Sequence, residues 1–390
     1  MNHHSSFRSH GAGRGRSRRR IVGTAATALT VLGMAGGGVA TAAADTVIDT
    51  IQVGNTPLGV AITPDGSSAY VVEFSDESVS VIDTGTNTVV GAPIPVGATP
   101  RTVAITPDGT RAYVTEIDDD SVSVIDIGTD AVIDTVTVGD SPRAVAITPS
   151  GTRAYVTNNN ANTASVIDTG TNTVVGVPIP VGLGPLAVAV NPNGTRAYVT
   201  NAVGNSVSVI DTGTDTVIDT VPVGNSPSGL AVTPNGSLAY VTNFGDDSVS
   251  VIDTATDTVV GTPIPVGDGP LGVGITPDGN RAYVTNSNAN TVSVIDTGTN
   301  TVVETIAVGQ GPNVVAITPN GTRAYVTNFG DNTVSVIAID QCIGSLCINL
   351  GSLVGGGSLV GGGSTGSGGT GSLAGAGSLA GGGSAGSAGS

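Results

Sequence analysis

The chain lacks several residue types on which enzymes commonly rely. Its 390 residues include no lysine and no tryptophan, and its three histidines all lie within the first ten positions. Without the N-terminal segment, the chain therefore has no imidazole and no side-chain amine. This excludes a histidine-dependent catalytic triad, a histidine-ligated zinc or haem, and a Schiff-base lysine from the rest of the protein.

Positive charge is also scarce outside the N-terminus. Six of the 13 basic residues lie within the first 20 positions, and no acidic residue precedes Asp45. The whole chain carries a net charge of −17, so that the part beginning at Asp45 carries −23. Nucleic-acid binding depends largely on neutralising phosphates, and this charge opposes it. We therefore expect no nucleic-acid partner.

The pattern of residues 1–44 is typical of an export signal. A basic segment ends in Arg18-Arg19-Arg20, a soft apolar stretch covers residues 21–40, and small residues follow. Cleavage after either Ala42 or Ala44 fits the A-x-A rule. The apolar stretch is too weak for a stable membrane span, so we expect none after cleavage. The sequence around Arg18 also fits a twin-arginine signal, which leaves the Sec and twin-arginine routes open. Either route predicts an extracellular or cell-surface protein.

A repeat occupies residues 45–340. The seven tyrosines are separated by 42 or 43 residues, and each is preceded by a Pro-x-Gly turn or its close variant and followed by a run such as SVSVID. Each unit has four short segments rich in Val, Ile and Thr, whose branched side chains favour strands. Four strands at this period indicate a propeller blade. We therefore predict an all-β, seven-bladed β-propeller with four strands per blade.

The two ends of the repeat region complement each other. The last unit stops after its third strand, while residues 45–54 match the fourth strand of another unit at 215–224. We therefore predict that the N-terminal strand completes the last blade and closes the ring, which removes two exposed sheet edges.

Five units carry the motif Tyr-Val-Thr-Asn, beginning at Tyr155, Tyr198, Tyr240, Tyr283 and Tyr325. Motif and period together resemble the YVTN β-propeller repeat family of exported and surface-layer-type proteins. The resemblance covers about residues 45–340. It implies the propeller fold, while the family's range of surface proteins, lactonase-like enzymes and a DNA-binding periplasmic protein leaves the function open. The first two units depart from the motif, with Glu73 and Glu116 in place of its asparagine.

Two further positions recur in most units. The tyrosines are expected to act as core wedges between blades. An arginine starts the second strand of five units, and an aspartate ends the third strand of six, as in Arg153 and Asp168. Because these positions are neighbours in an antiparallel pair, we expect an Arg–Asp pair inside each blade.

Candidate site residues stand where the symmetry of the repeat breaks. Arg101 and Arg143 occur in equivalent loops of two adjacent units, close to the units that carry Glu73 and Glu116. We expect these four residues to lie on one face, off the axis, as a ligand-binding group. The arginines could bind an anionic or sugar-like ligand, and the carboxylates could bind a hard cation such as Ca²⁺.

Two other interpretations of this group stay open. Glu73 or Glu116 could serve as a general base in hydrolysis, which makes both catalytic candidates. Alternatively, the arginines could simply neutralise the nearby carboxylates as a surface network. Beyond the possible Ca²⁺, no metal site and no cofactor is predicted.

The C-terminal part has no charged side chain after Asp340. Residues 341–350 contain Cys342 and Cys347, which in an exported protein favour a disulfide over free thiols. Residues 351–390 consist mainly of Gly, Ser, Ala and Leu and predict a flexible tail.

These features favour an exported, cell-surface or envelope propeller that acts as a non-enzymatic binding or structural module with a protein or glycan partner. The alternative is a lactonase-like hydrolase that uses arginine and carboxylate side chains of the first three blades.

Overall fold

The computed structural model describes residues 44–343 and 346–348, with side chains up to residue 340. It confirms a seven-bladed β-propeller in which each blade is an antiparallel sheet with four strand positions. Blades are numbered here in chain order from residue 57. The export signal predicted for residues 1–44 and the tail predicted for residues 351–390 lie outside the described residues, apart from Ala44.

The first strand of every blade begins at a proline, and consecutive first strands contact one another around the ring. They therefore form the inner wall of the propeller. These inner strands are β2 (Pro57–Ile62), β6 (Pro100–Ile105), β10 (Pro142–Ile147), β14 (Pro185–Val190), β18 (Pro227–Val232), β23 (Pro270–Ile275) and β27 (Pro312–Ile317).

The second strands carry the tyrosines. They are β3 (Ser68–Glu73), β7 (Arg111–Glu116), β11 (Arg153–Asn158), β15 (Arg196–Asn201), β19 (Leu238–Asn243), β24 (Arg281–Asn286) and β28 (Arg323–Asn328). The third strands are β4 (Ser78–Asp83), β8 (Ser121–Asp126), β12 (Thr163–Asp168), β16 (Ser206–Asp211), β20 (Ser248–Asp253), β25 (Thr291–Asp296) and β29 (Thr333–Ala338). Both sets are almost entirely buried, as expected for central strands covered by the neighbouring blades.

The fourth strands form the exposed rim. They are β1 (Thr46–Gln52), β5 (Thr88–Pro95), β9 (Ala131–Thr137), β13 (Thr173–Pro180), β17 (Thr216–Pro222) and β26 (Thr301–Ala307), with blade 5 using two short pieces, β21 (Thr258–Val259) and β22 (Ile264–Pro265). Each rim strand pairs with the third strand of its blade, so the sheet grows outward in chain order in blades 1–6.

The ring closes as the sequence predicts. The N-terminal strand β1 pairs antiparallel with β29, from Thr46 opposite Ala338 to Gln52 opposite Thr333. Blade 7 therefore combines three strands from the end of the repeat region with one from its beginning. This arrangement covers the edge of β29 and ties the two ends of the domain together.

The hydrophobic core is divided among the spaces between blades. In one such cluster, Tyr70 and Val79 of blade 1 pack with Val103, Val114 and Ile125 of blade 2. All seven tyrosine side chains are at most 1% exposed. The tyrosines therefore act as wedges between blades.

The predicted Arg–Asp pair inside each blade is wrong. Arg153 stands opposite Asp168 in the backbone register, yet its Nη1 atom contacts Asp215 Oδ2 of the next blade at 2.9 Å. Asp168 instead accepts hydrogen bonds from the amide and hydroxyl of Thr171, in the turn that follows its own strand. Because Thr171 binds the Asp168 carboxylate, Arg153 pairs with Asp215 instead and links two blades.

After the ring, β30 (Gln341–Ile343) pairs antiparallel with β31 (Leu346–Ile348). Cys342 stands directly opposite Cys347 in this register. Their side chains lie outside the described part of the chain, so the disulfide stays a prediction. Within the described part, no helix is long and apolar enough to cross a bilayer.

A candidate anion site on the inner ring

The residue that follows the first proline of each inner strand lies on the wall around the axis. Across the seven blades, these residues form a ring of two cations, two neutral polar side chains and three leucines. In chain order the ring consists of Leu58, Arg101, Arg143, Leu186, Ser228, Leu271 and Asn313.

Six of these seven residues line a cavity of about 90 Å³. The structure thus places Arg101 and Arg143 at one cavity, on the innermost strands. The expectation of an off-axis position is therefore wrong, because both residues belong to the strands that surround the channel and not to the loops before them. Ser228 and Asn313 line the same cavity from blades 5 and 7.

The two guanidinium groups stand in an unfavourable environment. Burial, together with the nearby positive charge of Arg143, lowers the pKa of Arg101 to about 10. Burial also lowers the pKa of Arg143, and the carboxylate of Asp118 opposes this shift only in part. Removing a cation from water without a counter-charge is costly, and a neighbouring like charge adds to that cost.

Neither guanidinium forms an ion pair within the described residues. No hydrogen bond or ion pair there involves the Arg101 guanidinium, and the Nε atom of Arg143 is buried without a hydrogen-bond partner. Buried polar groups in folded proteins are nearly always satisfied, so such an exception calls for a reason. An anion seated between the two side chains would provide one, because guanidinium groups bind carboxylates and phosphates through paired hydrogen bonds.

The other arginines of the propeller behave differently. Each donates from Nη1 to an acceptor on a neighbouring blade. The acceptors are the Thr169 carbonyl for Arg111, Asp215 for Arg153, Asp257 for Arg196, Asp45 for Arg281 and the Thr84 carbonyl for Arg323. These five residues have a structural role that explains their presence, whereas Arg101 and Arg143 have none in the described contacts.

Glu73 and Glu116 do not join the arginine pair. Both are 1% exposed, and neither lines the cavity at the ring. Glu73 accepts hydrogen bonds from the Gly54 amide at 2.7 Å and from the hydroxyls of Ser78 at 2.7 Å and Ser80 at 2.5 Å. Glu116 makes the equivalent three contacts with Gly97, Ser121 and Ser123.

The glutamates occupy the position of the motif's asparagine. In blade 3, Asn158 donates from Nδ2 to Thr163 Oγ1 at 3.0 Å and to Ser165 Oγ at 2.9 Å. The glutamates reverse this direction, because the hydroxyls donate to the carboxylate. The change from asparagine to glutamate thus keeps a buried hydrogen-bond network at the end of the second strand.

The acidic loop residues of the first two blades contact backbone amides. Asp76 accepts a hydrogen bond from the Asn55 amide, Asp119 from the Ala98 amide and Asp120 from the Ser141 amide, at 2.6 to 2.8 Å. These contacts hold the loops that lead into inner strands. Among the described residues, no group of three or more His, Cys, Asp or Glu side chains is arranged to hold a metal ion.

Sequence reasoning found the arginines but missed the ring to which they belong. The signal was present: the residue after each inner-strand proline varies among Leu, Arg, Ser and Asn while the surrounding repeat hardly changes. Read as a column across the seven units, this position would have revealed Ser228, Asn313 and the leucines as neighbours of the arginine pair.

Comparison with known proteins agrees with the fold. A family model described as "Lactonase, 7-bladed beta-propeller" matches residues 167–302, which run from the end of the third strand of blade 3 into the rim strand of blade 6. That segment contains none of the four predicted site residues. No curated protein matches the chain.

Among solved structures, the chain is similar to hydrazine synthase of Kuenenia stuttgartiensis, with 26% sequence identity and a TM-score of 0.67. The similarity covers 73% of this chain and 96% of the other. Together with the partial lactonase match, it identifies the chain as a seven-bladed β-propeller repeat protein.

Proposed function

We propose that this protein is an exported, non-enzymatic propeller of the YVTN type that binds an anionic group of a cell-surface partner between Arg101 and Arg143. The observation that carries the proposal is a pair of partly buried arginines at one cavity, neither of which forms an ion pair within the described residues. A purely structural ring would be more stable with leucine at both positions, as at Leu58, Leu186 and Leu271. Charged groups with pKa values perturbed by burial and by a neighbouring charge cluster at functional sites, which supports a binding role for this pair.

The cavity has room for the anionic end of a ligand. Its volume of about 90 Å³ is enough for a carboxylate or phosphate group. The ligand would therefore insert an anionic end, while Ser228 and Asn313 offer neutral hydrogen-bonding groups across the ring. The acidic sugar of a surface glycan or a carboxylate of a protein partner meets these requirements.

The test is isothermal titration of the protein with glucuronate, acetate and inorganic phosphate at low ionic strength. We expect at least one anion to bind the parent protein, and Arg101→Gln and Arg143→Gln each to weaken that binding at least tenfold. Arg153→Gln is the matched control, because it removes the same charge from an arginine already paired with Asp215. Absence of binding for all three anions, or equal weakening in the control, would contradict the proposal.

Lactone hydrolysis is the second candidate, and the family-model match is the observation in its favour. Its proposed base would be Glu73 or Glu116, each already accepting three hydrogen bonds inside a blade. Release of acid from a panel of lactones in a pH-stat would detect this activity. Turnover that survives in the Glu73→Gln and Glu116→Gln variants would rule out both residues as the base.

A further inference from the structure

We propose that the leader is cut between Ala44 and Asp45, and that the α-ammonium group released there forms an ion pair with Glu304 that fastens the closing strand. A signal peptidase would hydrolyse the Ala44–Asp45 amide with one water molecule, leaving a carboxylate on Ala44 and the new amino group on Asp45. The inference rests on the export part of the proposed function and is independent of anion binding.

Asp45 is anchored at the junction of blades 6 and 7. Its carboxylate accepts hydrogen bonds from Arg281 Nη1 at 3.1 Å, from the Tyr283 hydroxyl and from the Asp340 amide at 2.8 Å. The residue is 3% exposed, whereas Ala44 is exposed. The boundary between accessible chain and fixed structure therefore falls at the Ala44–Asp45 bond.

The backbone nitrogen of Asp45 lies 3.2 Å from Glu304 Oε2 on the rim strand of blade 6. In the uncut chain this nitrogen is a neutral amide. After a cut at this bond it would be an ammonium group at ion-pair distance from a carboxylate, with no rearrangement of the blade required.

The charges around the Asp45 nitrogen favour an ammonium group at this position. The negative charges of Asp45 and Asp340 act on the Glu304 carboxylate, while Arg281 is the cation that acts on it. Burial raises the pKa of Glu304, and the two other carboxylates raise it further. An ammonium group at Asp45 would add a second positive charge, besides that of Arg281, near these three carboxylates.

This geometry distinguishes between the two cleavage sites that the sequence allows. A cut after Ala42 would leave Ala43 and Ala44 attached, and the Asp45 nitrogen would stay a neutral amide. Only a cut after Ala44 places the new charge beside Glu304. Both sites satisfy the small-residue rule, and the contact with Glu304 is what distinguishes their products in the folded domain.

The first experiment determines the N-terminus of the full chain after export from a bacterial host, by intact mass and N-terminal sequencing. We expect the mature protein to begin at Asp45. Ala44→Leu, which changes the residue before this bond, should block that product, while Ala40→Leu, which affects only the Ala42 site, should not. A mature N-terminus at Ala43 would overturn the inference, and an uncut or unexported chain would overturn the export proposal as well.

The second experiment tests the ion pair. Chains beginning at Asp45 and at Ala43 are released from a cleavable fusion and compared by thermal unfolding. At pH 7 we expect the Asp45 chain to melt higher by about 2 °C, the scale of a modest ion pair in a protein of this size. Glu304→Gln should abolish the difference. Equal melting temperatures of the two chains at pH 7 would overturn the ion pair.

The difference in melting temperature between the chains that begin at Asp45 and at Ala43 should also depend on pH. A free α-amino group has a pKa of about 8, and pairing with Glu304 would raise it in the folded state. The stabilisation is therefore present below pH 8, in the range where Glu304 is ionised, and it is lost as the pH rises through the folded pKa of the amino group. The facing groups Arg281, Tyr283, Asp340 and the Asp45 side chain are present in both chains, so the two chains differ near Glu304 only in the position of the ammonium group.

Discussion

The phenol of Tyr155 donates a 2.6 Å hydrogen bond to Asp215, which belongs to the next blade. The same relationship recurs at every blade junction, because the residue before each rim strand is an aspartate or asparagine. The pairs are Tyr70–Asp130, Tyr113–Asn172, Tyr155–Asp215, Tyr198–Asp257, Tyr240–Asn300, Tyr283–Asp45 and Tyr325–Asn87. The tyrosine that identifies the repeat thus also links adjacent blades through a hydrogen bond.

Removing the hydroxyl should weaken a junction according to the charge of its partner. Tyr155→Phe leaves a partly buried carboxylate with one hydrogen bond fewer, and we expect a loss of about 1.5–3 kcal/mol in the free energy of unfolding. Tyr240→Phe removes an equivalent bond to the neutral Asn300 and should cost about 1 kcal/mol. Urea unfolding of both variants measures the difference. Equal losses would show that the partner's charge is unimportant.

The buried tyrosines should also limit stability at high pH. Burial raises the pKa of all seven phenols, in the case of Tyr240 to about 12. An unfolded phenol ionises near pH 10, so above this pH the unfolded state holds fewer protons than the folded state. The free energy of unfolding must then fall as the pH rises above 10.

This prediction is checked by following tyrosinate absorbance and circular dichroism during the same alkaline titration. We expect ionisation and unfolding to occur together, since the phenols are protected until the blades separate. Tyrosine ionisation near pH 10 in a protein that keeps its native circular dichroism would contradict the burial argument.

The fold could be predicted from the sequence because the same strand and turn residues recur in every blade. The tyrosine spacing predicts seven units, and the match between residues 45–54 and 215–224 predicts the closure that β1 and β29 form. Side-chain partners were less predictable. Arg153 faces Asp168 in register but reaches Asp215 across the junction, and only the packing of adjacent blades determines that choice.

The candidate site was predictable in part for the same reason. Departures from the repeat revealed Arg101, Arg143, Glu73 and Glu116, but they could not show which departures face the axis. Glu73 and Glu116 replace a buried asparagine within their blades, whereas the arginines replace leucine on the inner ring. The strand on which a residue lies, more than its rarity among the units, distinguishes the arginine pair from the glutamate pair.

Deletion of residues 45–54 tests the closure. The truncated chain would expose the edge of β29 and lose the contacts of Asp45 with Arg281 and Tyr283. We expect a lower melting temperature and aggregation, both reversed by adding a synthetic peptide of residues 45–54. A chain truncated after residue 350 is the control and should unfold at the parental temperature. A parental melting temperature for the 45–54 deletion would contradict the role assigned to β1.

The cysteine pair allows a chemical test. Cys342 and Cys347 are directly opposite in the β30–β31 register, where antiparallel Cα atoms stand about 4.5–5.5 Å apart, within the range that a disulfide spans. Protein purified under oxidising conditions should therefore resist alkylation until it is reduced. Cys342→Ser should leave Cys347 reactive without reduction. Rapid labelling of both thiols in the unreduced parent would exclude the disulfide.

The strongest test of the inner ring is a substitution that should stabilise the protein. Arg101→Leu places at blade 2 the residue that blades 1, 4 and 6 already carry at this position, and it removes a buried charge that faces Arg143. In buffer without multivalent or carboxylate anions, we expect the free energy of unfolding to rise by about 1–3 kcal/mol. Adding the anion that binds the parent protein should reduce the difference in the free energy of unfolding between variant and parent, because a ligand stabilises only the protein that binds it. Arg153→Leu breaks a satisfied ion pair and should destabilise the fold. Loss of stability in Arg101→Leu would show that the arginine supports the ring itself, and a ligand would no longer be needed to explain it.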